Sequence, residues 1–167
     1  QRRARAAVAA APPAFAALSD YKTELFVEEN EHGADADGAG ADGRSAVINA
    51  AWRGREQIMR ILLQRGAATE QSDDGDRTPL VWAAVNGHER VAAELLGSGA
   101  NPNHRDADGT TPLIRAAWNG HADVVRMLIA AGADPNLRDK EGRTALSRAR
   151  SEGRTEIARM LSAAGAN

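Results

Sequence analysis

The sequence predicts an all-α solenoid built from short helical hairpins stacked in series, and three observations carry that prediction. The stretch TPLVWAAVNGH at residues 78–88 returns as TPLIRAAWNGH at 111–121, 33 positions later. The same interval relates Ser45-Ala46-Val47, Thr78-Pro79-Leu80, Thr111-Pro112-Leu113 and Thr144-Ala145-Leu146, and also Gly54, Gly87, Gly120 and Gly153. The chain of 167 residues is 43% hydrophobic but only 4% aromatic, and much of its apolar content is alanine. A single core of large side chains is hard to build from that composition, so many thin interfaces between repeated units are the better solution.

One unit can be read element by element. Thr78 suits an N-cap, and Pro79 suits the first helical position, where a missing N–H costs nothing. Gly87 stops this helix after about two turns. A second helix follows with Glu89 in its favourable first turn, turns Val91, Leu95 and Leu96 toward one side, and ends near Gly99. The next unit repeats the pattern with Val124, Val125, Leu128 and Ile129. Helices of this size fall below the ~12–15 residues needed for marginal stability alone, so they must stack on neighbours. Between units lie GANPNHRDADGTTP (99–112) and GADPNLRDKEGRTA (132–145), rich in the residues that turns require.

The 33-residue period, the T-P-L element and the stretch GHADVVRMLIAAGADPN at 120–136 closely resemble the ankyrin-repeat family. Regular units are expected at 41–72, 73–105, 106–138 and 139–167. The resemblance implies that the turn segments project as hairpin-like fingers. Gly75 sits one position early and Asp76 takes the glycine column, which puts the local turn geometry of that finger in question. Upstream, Pro13, Ala17 and HGADAD (32–37) keep the register, so residues 12–40 read as a degenerate first unit and 1–11 as an extension or the start of a cap. Glu24, Glu28, Glu29 and Glu31 would form its solvated outer face. Arg150 and Ser162 replace apolar residues in the final unit, which reads as a polar cap, and the array is expected to end with the sequence.

Candidate chemistry is sparse. A net charge of −2 offers no global field to gather nucleic acid or an anionic membrane, and no run approaches the ~20 apolar residues of a membrane span. Zero cysteines exclude thiol catalysis and cysteine zinc sites. His88 and His121 share one column, but packed helices ~8–10 Å apart keep equivalent side chains from converging on one ion. The aspartates of DADG (106–109) and of GADADGAGADG (33–43) lack the full calcium-loop register and read as solvated turn residues. No nucleophile elbow, P-loop or dinucleotide fingerprint occurs, and Arg2, Arg3 and Arg5 lack interleaved aromatics. No enzyme activity, cofactor, metal or nucleic acid is expected. The opening QRRARAAVAAAPPAFAA makes a poor signal peptide. Compartment stays open between cytoplasm and, if a signal preceded Gln1, periplasm or secretion.

The letters that vary between units point elsewhere. On a wheel of ~3.6 residues per turn, Leu80, Ala83 and Ala84 define one face, while Trp82, Val85 and Asn86 point away. Their equivalents are Asn49, Trp52 and Arg53, then Arg115, Trp118 and Asn119, then Arg148, Ser151 and Glu152. All three tryptophans thus fall opposite the packing face, with arginines among them. Exposed aromatic and arginine clusters are what binding hot spots use. In the ankyrin family this face is a concave groove that binds proteins, so the resemblance implies a monomeric protein-interaction module for a protein or peptide partner. Fingertip residues Arg44, Asp74, Arg77, Asp108, Thr110, Lys140 and Arg143 would add selectivity. Two other readings stay open: an inhibitor or immunity-type protein that occludes a partner enzyme through the same surface, and a structural spacer of a longer chain, for which the groove would be inert.

Overall fold

The structure is a computed structural model that describes residues 45–167. The expected extension, the degenerate unit over 12–40 and the candidate tip Arg44 lie outside the described residues. Within them, eight helices follow in four pairs: α1 Ala46–Arg53 with α2 Glu56–Gln64, α3 Pro79–Asn86 with α4 Glu89–Gly97, α5 Pro112–Asn119 with α6 Ala122–Ala130, and α7 Ala145–Ser151 with α8 Thr155–Ala163. The first helices α1, α3, α5 and α7 stack on one another in series, the second helices form a parallel row, and each first helix packs on its own partner. This is the all-α repeat solenoid the period predicts.

Local chemistry explains the helix ends. Ser45, Thr78, Thr111 and Thr144 each cap a first helix, their hydroxyls accepting the N–H of the residue three positions on at 3.2–3.4 Å. Pro79 and Pro112 sit in the first turn, as the sequence predicts. At the far end Gly87 adopts φ 72°, and a Cβ added there would overlap the His121 ring, so that position needs glycine twice over. Each second helix ends with the alanine after its stop glycine bonding backward, for example Ala100 N–H to Leu95 O at 3.0 Å.

The core is continuous through the stack. Leu80, Ala83, Ala84, Val91 and Leu95 are fully buried, as are Leu113, Ala116, Val124, Val125 and Leu128. Ile48, Val81 and Ile114 are buried as well, a column the helical wheel did not assign to the core. A first helix touches the one before, the one after and its own partner, so more than a half-face is covered. Only a narrow strip remains for solvent. On the second-helix row, Arg60 bridges Glu56 and Glu94 at 2.8 Å each, and Arg90 reaches Glu56 at 3.2 Å. These pairs are solvent-facing and add little stability.

Candidate functional site

The turns and the narrow strip are joined by a feature that motif reading missed. Asp73, Asp106 and Asp139 recur at the 33-residue interval. Each opens a tight turn, and its Oδ1 accepts the backbone N–H groups two and four residues on. Those donors are Gly75 (2.9 Å) and Arg77 (3.1 Å), Asp108 (3.0 Å) and Thr110 (2.9 Å), and Glu141 and Arg143 (both 2.9 Å). Asp106 and Asp139 are therefore buried rather than solvated. Asp108 is the exposed carboxylate of its turn. The turn at Asp73 keeps the same form because Asp76 itself adopts φ 54°, matching Gly109 (73°) and Gly142 (77°). The displaced glycine at 75 thus leaves the geometry intact, since aspartate tolerates the left-handed region better than most residues.

The second oxygen of each aspartate faces the first helix, nine residues on. Asp73 Oδ2 accepts the Trp82 indole N–H at 3.0 Å. Asp106 Oδ2 accepts Arg115 Nε and Nη2 at 3.1 and 2.6 Å, and Asp108 adds a contact to Nη2 at 3.1 Å. At Asp139 the pattern changes: Arg143 Nε takes Oδ2 at 2.8 Å, and Arg148 Nη2 is left 3.6 Å away. Arg143 also pairs with Glu141. Burial works to raise the Asp139 carboxyl, but the Arg143 backbone N–H and guanidinium and the Glu141 N–H outweigh it and hold it below the usual range. Burial at Asp73 is likewise outweighed, by the Arg77 and Gly75 N–H groups, the Trp82 indole and the Arg77 charge.

The strip itself carries aromatic and cationic groups in two clusters. Trp52 is 38% exposed, the most open large apolar side chain among the described residues. Its ring meets Trp82 edge-on, with centroids 6.5 Å apart and planes at 63°. Arg53 lies 5.4 Å from the Trp52 ring and Arg77 lies 5.0 Å from that of Trp82. Trp118 sits between Arg148 at 3.7 Å and Arg115 at 6.0 Å.

The structure thus brings the groove candidates onto one strip, although several are half-buried and engaged internally. Trp82 packs against the core while its N–H is held by Asp73. Trp118, Asn49, Arg53, Val85 and Asn86 are half-buried, and Asn119, Ser151 and Glu152 are exposed. Asn86 and Asn119 donate to Trp52 O and Val85 O of the preceding unit at 3.1 and 2.8 Å. His88 and His121 contact the same two carbonyls at 3.0 Å through Nε2. These histidines therefore lock one unit onto the next. Among the tip candidates Asp74, Asp108 and Lys140 are exposed, and Arg77 and Arg143 are half-buried. Thr110 is a correction: it is 3% exposed, because its N–H closes the turn onto Asp106, and it presents no surface to a partner.

Consecutive turns are also tied by backbone bonds, Ala107 N–H to Gly75 O at 2.9 Å and Lys140 N–H to Asp108 O at 3.0 Å. Asn103 and Asn136 add a second ladder, accepting the N–H of Asp134 and Asn167 at 2.7 and 3.0 Å. Among the described residues no helix is long and apolar enough to cross a membrane. A family model for ankyrin repeats in three copies matches residues 14–106 and 93–167. No curated protein matches the chain.

Proposed function

This chain belongs to the ankyrin-repeat family, whose repeats are generally protein–protein interaction modules rather than enzymes, and from that membership we propose that it holds a protein or peptide non-covalently along its first-helix groove. Trp52, Arg53, Trp82, Trp118, Arg115 and Arg148 line that groove, with Asn49, Val85, Asn86, Asn119, Ser151 and Glu152 beside them. Asp74, Arg77, Asp108, Lys140 and Arg143 supply selectivity from the turns.

The observation that carries this reading is a pair of ring-and-guanidinium clusters on the first-helix row, Arg53–Trp52–Trp82–Arg77 and Arg115–Trp118–Arg148, with Trp52 open to solvent. Large aromatic and arginine groups already held in place lose little freedom on binding, which is how a few residues come to dominate an interface. Internal engagement of Arg115 and Trp82 supports rigidity of the groove rather than direct contact at those two positions.

The test is selection of peptides from a random twelve-residue library on the folded protein, followed by affinity measurement with purified variants. Trp52→Ala should weaken the selected peptides by ~2 kcal/mol or more, as hot-spot truncations do. Arg126→Glu, on the second-helix row, should leave them unchanged. Peptides that bind Trp52→Ala as tightly as the parent protein, and lose affinity to Arg126→Glu, would place the site on the opposite row.

A further inference from the structure

We propose that the guanidinium of Arg148 is the groove's receptor for a carboxylate carried by the partner, either an acidic side chain or a free chain terminus. The inference rests on the groove reading above and names the chemistry at one end of it.

The three units serve as controls for one another. Position nine after the turn aspartate is Trp82, Arg115 or Arg148. The first two are hydrogen-bonded to their turns, Trp82 by one bond to Asp73 and Arg115 through Nε and Nη2 to Asp106 and Asp108. Arg148 is not, because the arginine four places after Asp139 reaches Oδ2, whereas Arg77 at the same place leaves Asp73 Oδ2 to Trp82. In the Asp106 turn the residue at that place is Thr110, which leaves Oδ2 to Arg115. In the Asp139 turn it is Arg143, whose Nε occupies Oδ2 at 2.8 Å.

Displaced from its carboxylate, Arg148 lies on the Trp118 ring at 3.7 Å with its side chain 11% exposed. Its Nε is buried with no acceptor, and its Nη2 keeps only an ion pair with Asp139 Oδ2 at 3.6 Å, beyond hydrogen-bond distance. The orphaned Nε shows that the chain's own acceptors fall short of this guanidinium, although that atom is itself enclosed. Stacking fixes the guanidinium plane, Nη1 and Nη2 donate no hydrogen bond among the described residues, and the edge formed by these two terminal nitrogens matches a carboxylate in bidentate fashion. Arg115, equally cationic in sequence, is excluded from this role because Asp106 and Asp108 already neutralise it through Nε and Nη2.

The experiment uses two random libraries of twelve-residue peptides, one displayed with free C-termini and one displayed internally, selected on the intact protein. A fixed acidic residue in both pools assigns an acidic side chain, and enrichment confined to the first pool assigns a chain terminus. A synthetic peptide from the winning pool should bind on the order of tenfold more weakly when its carboxylate is neutralised, by Glu→Gln or by amidation. The same neutralisation should cost nothing on Arg148→Gln protein, because the pair is coupled. Arg143→Gln frees Asp139 to pair with Arg148 and should weaken the peptide, whereas Arg138→Gln removes an equal charge nearby and should not.

Selected peptides without a fixed carboxylate overturn the inference, as does a carboxylate that still matters on Arg148→Gln. Should Arg148→Gln fail to fold, judged by circular dichroism, the other pair decides: equal affinities of Arg143→Gln and Arg138→Gln overturn it. Binding that survives Trp52→Ala sinks the groove reading itself. Groove-dependent peptides lacking the carboxylate sink only this step, and libraries that enrich nothing sink both.

Discussion

Asp76 occupies a backbone conformation that its two counterparts reach with glycine, φ 54° against 73° at Gly109 and 77° at Gly142. Its side chain makes no contact needed to hold the turn, which is closed by Asp73 and by Asp76 N–H to Asp73 O at 2.9 Å. Asp76→Gly should therefore raise stability by about 0.5–1 kcal/mol, the relief of left-handed strain partly offset by backbone freedom gained in the unfolded chain. Chemical denaturation of the variant and parent checks it; a loss of stability would mean the turn depends on the Asp76 carboxylate. The turn aspartates give a second prediction at this scale. Asp73 and Asp139 are held below the usual carboxylate range in the folded protein. A depressed folded pKa contributes stability that is present above the unfolded value, near ~3.9, and is lost as pH falls toward the folded one. Melting temperature should accordingly fall on acidification below about pH 4, and the double variant Asp73→Asn, Asp139→Asn should show a shallower fall from a lower start. An unchanged acid slope would remove these two groups from the account.

At the scale of the element, the first helix explains why the wheel was right about direction and wrong about degree. It assigned Trp52, Trp82 and Trp118 to one side, and the structure places all three on one strip. It did not convey that a helix flanked on three sides keeps only a narrow strip open, so Val81 and Ile114 are buried and Trp82 is packed against the core. Two kinds of position follow. Leu95→Ala and Leu128→Ala empty fully buried sites and should cost ~2–5 kcal/mol. Trp52→Ala should cost ~1 kcal/mol or less, as exposed changes do. Trp82→Ala belongs with the leucines at ~2–3 kcal/mol, since it removes packed aromatic surface and strips a hydrogen bond from the Asp73 carboxylate. Urea denaturation of the four variants measures this order. Equal losses at Trp52 and Leu95 would make Trp52 part of the core.

For the whole molecule, the repeat period made the architecture legible because identical spacing forces identical capping and stacking. Thr78, Pro79, Gly87 and Leu95 each perform the role their residue type implies. The site was less legible, for a physical reason. Whether an arginine on the strip is engaged depends on which side chain reaches a shared carboxylate first, and Arg115 and Arg148 look alike until the Asp106 and Asp139 turns are seen in space. The bond from the histidine column to the preceding unit's carbonyl needed three dimensions. The asparagine ladder at Asn103 and Asn136 carries no signal beyond turn composition.

The central claim is that the first-helix strip is where this protein meets its partner. Its three tryptophans are the only ones in the chain and all lie there, so three indole N–H resonances report on the whole strip. Adding a selected peptide to nitrogen-labelled protein should shift the Trp52 and Trp118 indole signals strongly and the Trp82 signal least, because its N–H is already held by Asp73 at 3.0 Å. Saturable binding that leaves all three signals in place would contradict the claim.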